Sequence, residues 1–455
     1  MTAIGVIADD LTGATTVGTL LARAGIKTAA YFSPDDMPGA DQYQAIVMTT
    51  DSRHMKAEDA DAAVTKVMKK LQRCHVDYFT KRIDTTYRGG LGTEIDAMLR
   101  QMPADTMAMV VPAMPQSKRI LAGGYAIIEN TALEETEVAH DVLTPVTETF
   151  IPKLIAGQTH HKVGVLDLET VLAGPAAVKE VLERRQAEGC RVIVCDSVSM
   201  AHVQLIANSV VELGWSTLAV DPGPFTYALA LAHGLGQEKA DTTSDNASSI
   251  DPEESGHVLV VAGSATGVTR KQIDYLAAND TVDVISVDPR SIVMNDRLAH
   301  QMITAQTDRL LASLSDPATN VTILETAVYS PVLDLKQVEA EDHLPSGQAS
   351  ANINLAVAQI VHQALAEWTG HLDGLYMTGG DTMVTTLKHL GAKGIGLRDY
   401  VIPQTDLGQI IGGDFAGTFT IGKGGMTGKE DTAVVAVNRC FAESRQLVQQ
   451  KVVTL

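Results

Sequence analysis

Short apolar runs recur along the chain. Most are rich in β-branched residues and end in Gly, Asp, Ser or Thr before a helical pattern begins. The first, Ile4-Gly5-Val6-Ile7-Ala8, stops at Asp9-Asp10. Others follow at 45–48, 108–111, 163–166 and 192–195, then at 258–262, 282–287, 321–324 and 375–377. Uninterrupted apolar runs, rather than alternation, suit strands buried on both faces of a parallel sheet. Between them apolar residues take helical spacing, as in Val17, Leu20, Leu21 and Ala24, in Val64, Val67, Met68 and Leu71, and in Ile95, Met98, Leu99 and Met102. Gly25 supplies a stop for the first of these helices, and Thr93 with Asp96 reads as a capping box opening the third. Alternation of this kind predicts an α/β fold with right-handed crossovers. The pattern breaks once, over 238–255, which is polar, acidic and without period. The expected organisation is two domains, each a mainly parallel sheet flanked by helices: residues 1–238, a linker over 239–256, and 257–455.

Composition narrows the function classes. A hydrophobic fraction of 45% over 455 residues supports full-sized cores and excludes disorder of the whole chain. The formal charge of -20 argues against wrapping nucleic acid or lying on an anionic membrane. No run approaches the roughly 18 apolar residues of a membrane span. The opening stretch lacks the basic region of a signal peptide and meets Asp9 and Asp10 at once. The four cysteines form no C-x-x-C pair, and the 13 histidines show no metal spacing. A cytoplasmic protein with small-molecule partners, and with no metal centre built by the chain alone, is the expectation; a homodimer is compatible with the sequence.

In doubly wound sheets ligands bind beyond the carboxyl ends of strands, and several such ends here hold more than turn residues. Asp9-Asp10-Leu11-Thr12-Gly13 joins the first strand to the first helix. Two adjacent carboxylates there suit a base for a substrate hydroxyl, or a hold on water or Mg²⁺. An N-cap explains one Asp but not two. Arg53 follows the second run, and its planar fork suits a carboxylate, although a lone Arg at a strand end is more often a surface ion pair. The stretch from Lys81 through Arg82, Ile83, Asp84 and Arg88 to Gly90 concentrates cations, hydroxyls and glycines in an otherwise acidic protein and reads as an anion site. Lys118-Arg119, in the stiff loop after Pro112 and Pro115, could reach the same anion. His140-Asp141 reads as a surface turn. Past the linker, three Gly-rich loops contain Gly263-Ser264, then Gly379-Gly380-Asp381-Thr382, then Lys423-Gly424-Gly425. None is a Walker A or a dinucleotide fingerprint. Three such loops, each at a strand end, favour a nucleotide site.

These motifs, in this order and over nearly the whole chain, resemble the four-carbon acid sugar kinase family. The resemblance implies a sugar-acid-binding N-terminal domain, an ATP-binding C-terminal domain, and transfer between them with Mg²⁺. It implies substrate contacts at Asp9, Arg53 and Lys81 to Asp84, with nucleotide contacts at Ser264, Gly379 to Thr382, and Gly424. The implied reaction is phosphorylation of the terminal hydroxyl of a tetronate: D-threonate or D-erythronate first, a 3-oxo-tetronate next. Arg53 and Lys81 are expected to hold the substrate carboxylate, with Asp9, Asp10 or Asp84 as base. Asp84-Thr85-Thr86-Tyr87-Arg88-Gly89 and Gln116-Ser117-Lys118-Arg119 depart from the family's commoner Asp-Ser-Thr-Leu-Arg-Gly and Asn-Gly-Arg, both on the sugar side. Two other readings stand beside the kinase. A nicotinamide-dependent sugar-acid dehydrogenase lacks its fingerprint, and a non-catalytic sensor of sugar acid or nucleotide leaves Asp9-Asp10 unexplained.

Overall fold

The computed structural model describes residues 3–140, 144–238 and 256–453. The chain divides into two compact units, Met1–Ala240 and Asp241–Leu455. Of the segment expected to link them, only Gly256 lies within the described residues, and Asp141 of the His140-Asp141 pair lies outside them.

The first unit runs β1 (Ile4–Ala8), α1 (Leu11–Arg23), β2 (Thr28–Tyr31), β3 (Ala45–Thr49), α2 (Ala57–Arg73), β4 (Tyr78–Arg82), α3 (Leu91–Leu99) and β5 (Met107–Val110). A small antiparallel sheet follows, of β6 (Arg119–Ala122), β7 (Tyr125–Ile128) and β8 (Thr131–Ala132). Then come α4 (Ile151–Ala156), β9 (Val163–Leu166), α5 (Leu168–Ala173), α6 (Pro175–Ala187), β10 (Val192–Cys195), α7 (Met200–Glu212), β11 (Thr217–Asp221) and α8 (Pro224–Ala232). Its main sheet is wholly parallel, in the order β2-β3-β1-β4-β11-β5-β10-β9. Every residue of β1 and β3 is buried, as strands covered by helices on both faces require. The chain crosses from β3 to β4 over β1, so β1 lies at the point where the strand order reverses.

The second unit runs β12 (His257–Ala262), α9 (Gly267–Ala277), β13 (Val282–Ser286), α10 (Arg297–Leu314), β14 (Val321–Glu325), α11 (Leu335–Glu341), α12 (Gln348–Glu367), β15 (Leu372–Thr378), α13 (Gly380–His389), β16 (Gly394–Ile402), β17 (Thr405–Ile411), β18 (Phe419–Lys423) and α14 (Thr432–Val453). Its sheet order is β13-β14-β12-β15-β18-β17-β16. It is parallel from β13 to β18, and the last two pairings are antiparallel. Here β12 lies at the reversal, so the loops after β12 and β15 open side by side.

Two sequence expectations change. Asp96 does not cap α3: that helix starts at Leu91 after Gly90, which offers no side-chain cap. The Asp96 carboxylate instead accepts from the Thr159 hydroxyl at 2.5 Å and the His160 N–H at 2.9 Å. Lys81 and Arg82, expected in a loop, lie on β4 itself.

Candidate active site

In the first unit the ends of β1, β3 and β4 bring three carboxylates and three guanidinium groups together. Asp10 is the N-cap of α1: its Oδ1 accepts from the Gly13 N–H at 2.8 Å. The same carboxylate meets Arg82 Nη1 at 3.0 Å and Arg53 Nη1 at 2.9 Å. Arg53 Nε donates to Asp9 Oδ2 at 2.7 Å, and Arg82 Nη1 donates to Asp9 Oδ1 at 3.1 Å. Gly13 makes this possible, because a Cβ there would fall 1.8 Å from Arg82 Nη1. Arg88 Nε donates to Asp84 Oδ2 at 2.7 Å, the Thr86 hydroxyl donates to the same oxygen, and Arg53 Nη2 stands 3.8 Å from Asp84 Oδ1.

Burial by itself would raise the pKa of Asp9, but Arg82, Arg53 and Lys81 outweigh it and hold the group below the ordinary carboxylate range. Asp84 is likewise lowered, with burial opposed by Arg53 and Arg88. The three carboxylates differ in access: the Asp10 side chain is 29% exposed, against 3% for Asp9 and 7% for Asp84. A hydroxyl entering from solvent therefore meets Asp10 first.

The remaining expected residues fall into place around this cluster. Lys81 is wholly enclosed; its ammonium pairs with Glu94 at 2.6 Å and donates to the Arg82 carbonyl at 2.8 Å. It ties β4 to α3, and Glu94 in turn accepts from Ser52 at 2.8 Å. No surface of Lys81 is left for the substrate carboxylate it was expected to hold. Ile83 is buried, with its N–H on the Asp221 carbonyl at 3.1 Å. Arg53 lines a cavity of about 340 Å³ together with Tyr87, Gly89, Thr147 and Gln158. Its Nη2 is buried without a hydrogen-bond partner, and so is Nε of Arg82. Tyr87 holds a left-handed backbone, φ 62°, uncommon for so bulky a residue.

In the second unit the Gly-rich loops close on one another. Gly379 (φ 96°) precedes α13, and Gly263 comes so near that a Cβ would fall 2.0 Å from Thr382 Oγ1. That hydroxyl donates to Asn354 Oδ1 at 2.8 Å. Ser264 backs onto Gly425, where a Cβ would fall 2.4 Å from its Oγ, and the Thr266 hydroxyl donates to the Gly425 carbonyl at 2.6 Å. A pocket of about 200 Å³ lies against Gly263, Gly379, Gly380, Asp381 and Thr382. Its other wall is apolar and includes Pro289, Val332, Leu333 and Ile353. Free N–H groups at the start of α13 beside an apolar wall match a polyanion carrying a flat base.

Sequence reasoning gave no role to three contributors. Lys423 Nζ donates to the Gly424 carbonyl at 2.8 Å and the Thr427 carbonyl at 3.2 Å, organising the loop expected to bind nucleotide through Gly424 and Gly425. Burial pulls its pKa down to about 8. Asn354 and the apolar wall come from α12, the segment before α11 and, for Pro289, the turn after β13, where no Gly motif marks them. Glu94 sits in an ordinary helical stripe, and only its position facing Lys81 would have signalled its part.

Two family models match the chain: a sugar-binding N-terminal domain over residues 4–229 and a nucleotide-binding C-terminal domain over residues 259–433. A D-erythronate kinase of Heliobacterium modesticaldum is 36% identical over 96% of this chain and 97% of its own. A D-threonate kinase of Salmonella typhimurium is 28% identical over 94% and 96%, and a 3-oxo-tetronate kinase of the same organism is 28% identical over 89% and 91%. Among solved structures, one from Salmonella typhimurium LT2 described as a putative tRNA synthase superposes with a TM-score of 0.80 at 20% identity, covering 96% of this chain and 100% of its own. The Haemophilus influenzae protein HI1011 follows with a TM-score of 0.73 at 21% identity, over 95% and 98%. At those identities the two structures speak for the fold alone.

Proposed function

The chain belongs to the four-carbon acid sugar kinase family, and from that premise we propose that it transfers the terminal phosphoryl group of ATP to the terminal hydroxyl of a tetronate. D-Erythronate and D-threonate are the favoured acceptors, with a 3-oxo-tetronate next, in keeping with the relatives' activities. One observation carries the reading: an Asp–Arg cluster with one accessible carboxylate lies inside the sugar-binding match, and a cradle of Gly loops lies inside the nucleotide-binding match.

The geometry supports a role for each group. Asp10 accepts the hydrogen bond of the attacking hydroxyl and takes its proton as the new P–O bond forms. A carboxylate suffices in this role, because phosphoryl transfer is driven by positioning and charge neutralisation more than by proton abstraction. Asp9 holds Arg53 and Arg82 in place and Asp84 holds Arg88, while Nη2 of Arg53, buried and without a hydrogen-bond partner, is the donor left for the substrate. The Gly379 N–H is spent on the Lys423 carbonyl at 3.1 Å, so the N–H groups of Gly380 to Thr382 bind phosphate oxygens, with Ser264 and the Gly424–Gly425 segment closing the other side. Among the described residues no group of three or more His, Cys, Asp or Glu could cage a metal. A nucleotide-bound Mg²⁺ needs only one or two protein carboxylates, and exposed Asp381 at the start of α13 fits that need. Asp381 would hold the ion beside the nucleotide's phosphates, where it would supply charge neutralisation.

The test is ADP release with Mg²⁺ and each tetronate in turn; no acceptor raising ADP above background would sink the reading. Asp10→Asn keeps the helix cap and should lower kcat at least about 100-fold while leaving KM for ATP within about threefold. Equal damage to both would mean that Asp10 is structural.

A further inference from the structure

The acceptor cluster is charge-balanced. Asp9, Asp10 and Asp84 face Arg53, Arg82 and Arg88, while Lys81 is matched by Glu94. A carboxylate substrate therefore meets no surplus positive charge among these residues, and hydrogen-bond donors alone give little preference for an anion over a neutral analogue. The surplus must come from elsewhere at the carboxyl edge of the sheet.

Arg119 meets that requirement. It opens β6, which the loop after β5 carries back over the strand ends: Met114 and Arg119 exchange backbone hydrogen bonds at 2.9 and 3.2 Å, and Leu121 bridges to Ser197 just beyond β10. Strand β5 is one strand, β11, away from β4, which delivers Arg82 and Asp84. Among the described residues the Arg119 guanidinium has no carboxylate in ion-pairing range. Its one acceptor among the described residues is the Ser117 carbonyl, at 3.1 Å from Nη1, and its Nε is buried with no partner among them. The nearby carboxylate of Asp196 is already engaged by the N–H groups of Gly123, Gly124 and Leu168 at 2.7, 2.8 and 3.0 Å. Tyr87 links the two regions: it lines the cavity with Arg53, and its hydroxyl feels the charges of both Asp84 and Arg119.

We infer that Arg119 binds the carboxylate of the sugar acid and is the residue that selects an acid over a neutral polyol. The inference rests on the tetronate-kinase reading. Its Nε and one Nη would form the bidentate pair with the carboxylate, while Arg53 and Asp10 meet the hydroxyl end.

The experiment uses the whole protein with ATP and Mg²⁺. The acceptor is the tetronate with the best wild-type turnover, compared with its neutral amide. The wild type should favour the acid by roughly 30-fold or more in kcat/KM, and Arg119→Gln should bring the two within about threefold by raising KM for the acid alone. KM for ATP should stay within about twofold in Arg119→Gln, which also reports that the variant is folded. Arg119→Lys should recover part of the preference, since it restores charge but not the planar fork. An unchanged preference in Arg119→Gln overturns the inference and leaves the kinase reading standing. An equal loss toward acid, amide and ATP overturns it too, by assigning Arg119 a structural role. A wild type that turns over no tetronate overturns both.

Discussion

At Gly13 the helix and the active site make opposite demands, and their magnitudes decide the outcome. Gly13→Ala would gain up to about 1 kcal/mol of helix propensity. The added Cβ would fall 1.8 Å from Arg82 Nη1 and displace a guanidinium that serves both Asp9 and Asp10. Breaking such a buried pair costs about 3–5 kcal/mol, so the variant should be less stable by about 2–4 kcal/mol and nearly inactive. Urea unfolding with an ADP assay checks both; a variant as stable as wild type would mean that Arg82 relocates without loss. Residue types and strand-end positions made Asp9, Asp10, Arg53, Arg82, Asp84 and Arg88 legible as a group. Their partners were not legible. Which Arg faces which Asp depends on the register of β1, β3 and β4, and adjacency in sequence says nothing about that. Lys81 shows the limit: beside Arg82 in sequence, it points to the opposite side of β4 and is matched by Glu94.

Among the elements, strands buried on both faces were the easy ones. β1, β3, β5, β10, β12 and β14 are near-continuous apolar runs and appear close to where the sequence puts them. β4 was hidden because Thr80, Lys81 and Arg82 break its apolar run, although all three are buried. The antiparallel strands β16 to β18 carry Gly, Asp, Gln and Thr among their apolar residues, and the β6–β8 sheet is short and half-exposed. Neither has the run that marks a parallel core. The loop after β18 is the element whose conformation depends most on one side chain. Lys423→Met removes charge-assisted bonds to the Gly424 and Thr427 carbonyls, worth roughly 1.5–3 kcal/mol each where intact. KM for ATP should rise about tenfold or more while KM for the acceptor stays unchanged. A rise in the acceptor KM of the same size would show that the loop serves more than the nucleotide.

For the whole molecule, each unit has its own core and one tryptophan: Trp215 in the first, Trp368 in the second. Their unfolding can therefore be followed separately. His257, whose ring lies 5.7 Å from that of Trp368, is pushed by burial to a pKa of about 4. Its folded pKa is below the unfolded value of 6.5, so the unfolded chain takes up the proton first. The second unit should hold its stability above pH 6.5 and lose up to about 3 kcal/mol as pH falls from 6.5 towards 4. Urea titrations of Trp215→Phe at pH 7 and pH 5, with and without His257→Gln, measure this. If the added substitution leaves the pH difference unchanged, His257 is not its source.

The bond from Lys81 to Glu94, continued to Ser52, joins β4, α3 and the segment after β3 without any ligand, and Arg82 fastens β4 to the start of α1 in the same way. Little of the acceptor site is left to be ordered by its substrate. Calorimetric titration with a tetronate should accordingly show a small conformational-entropy penalty and a heat-capacity change no larger than the buried ligand surface itself accounts for.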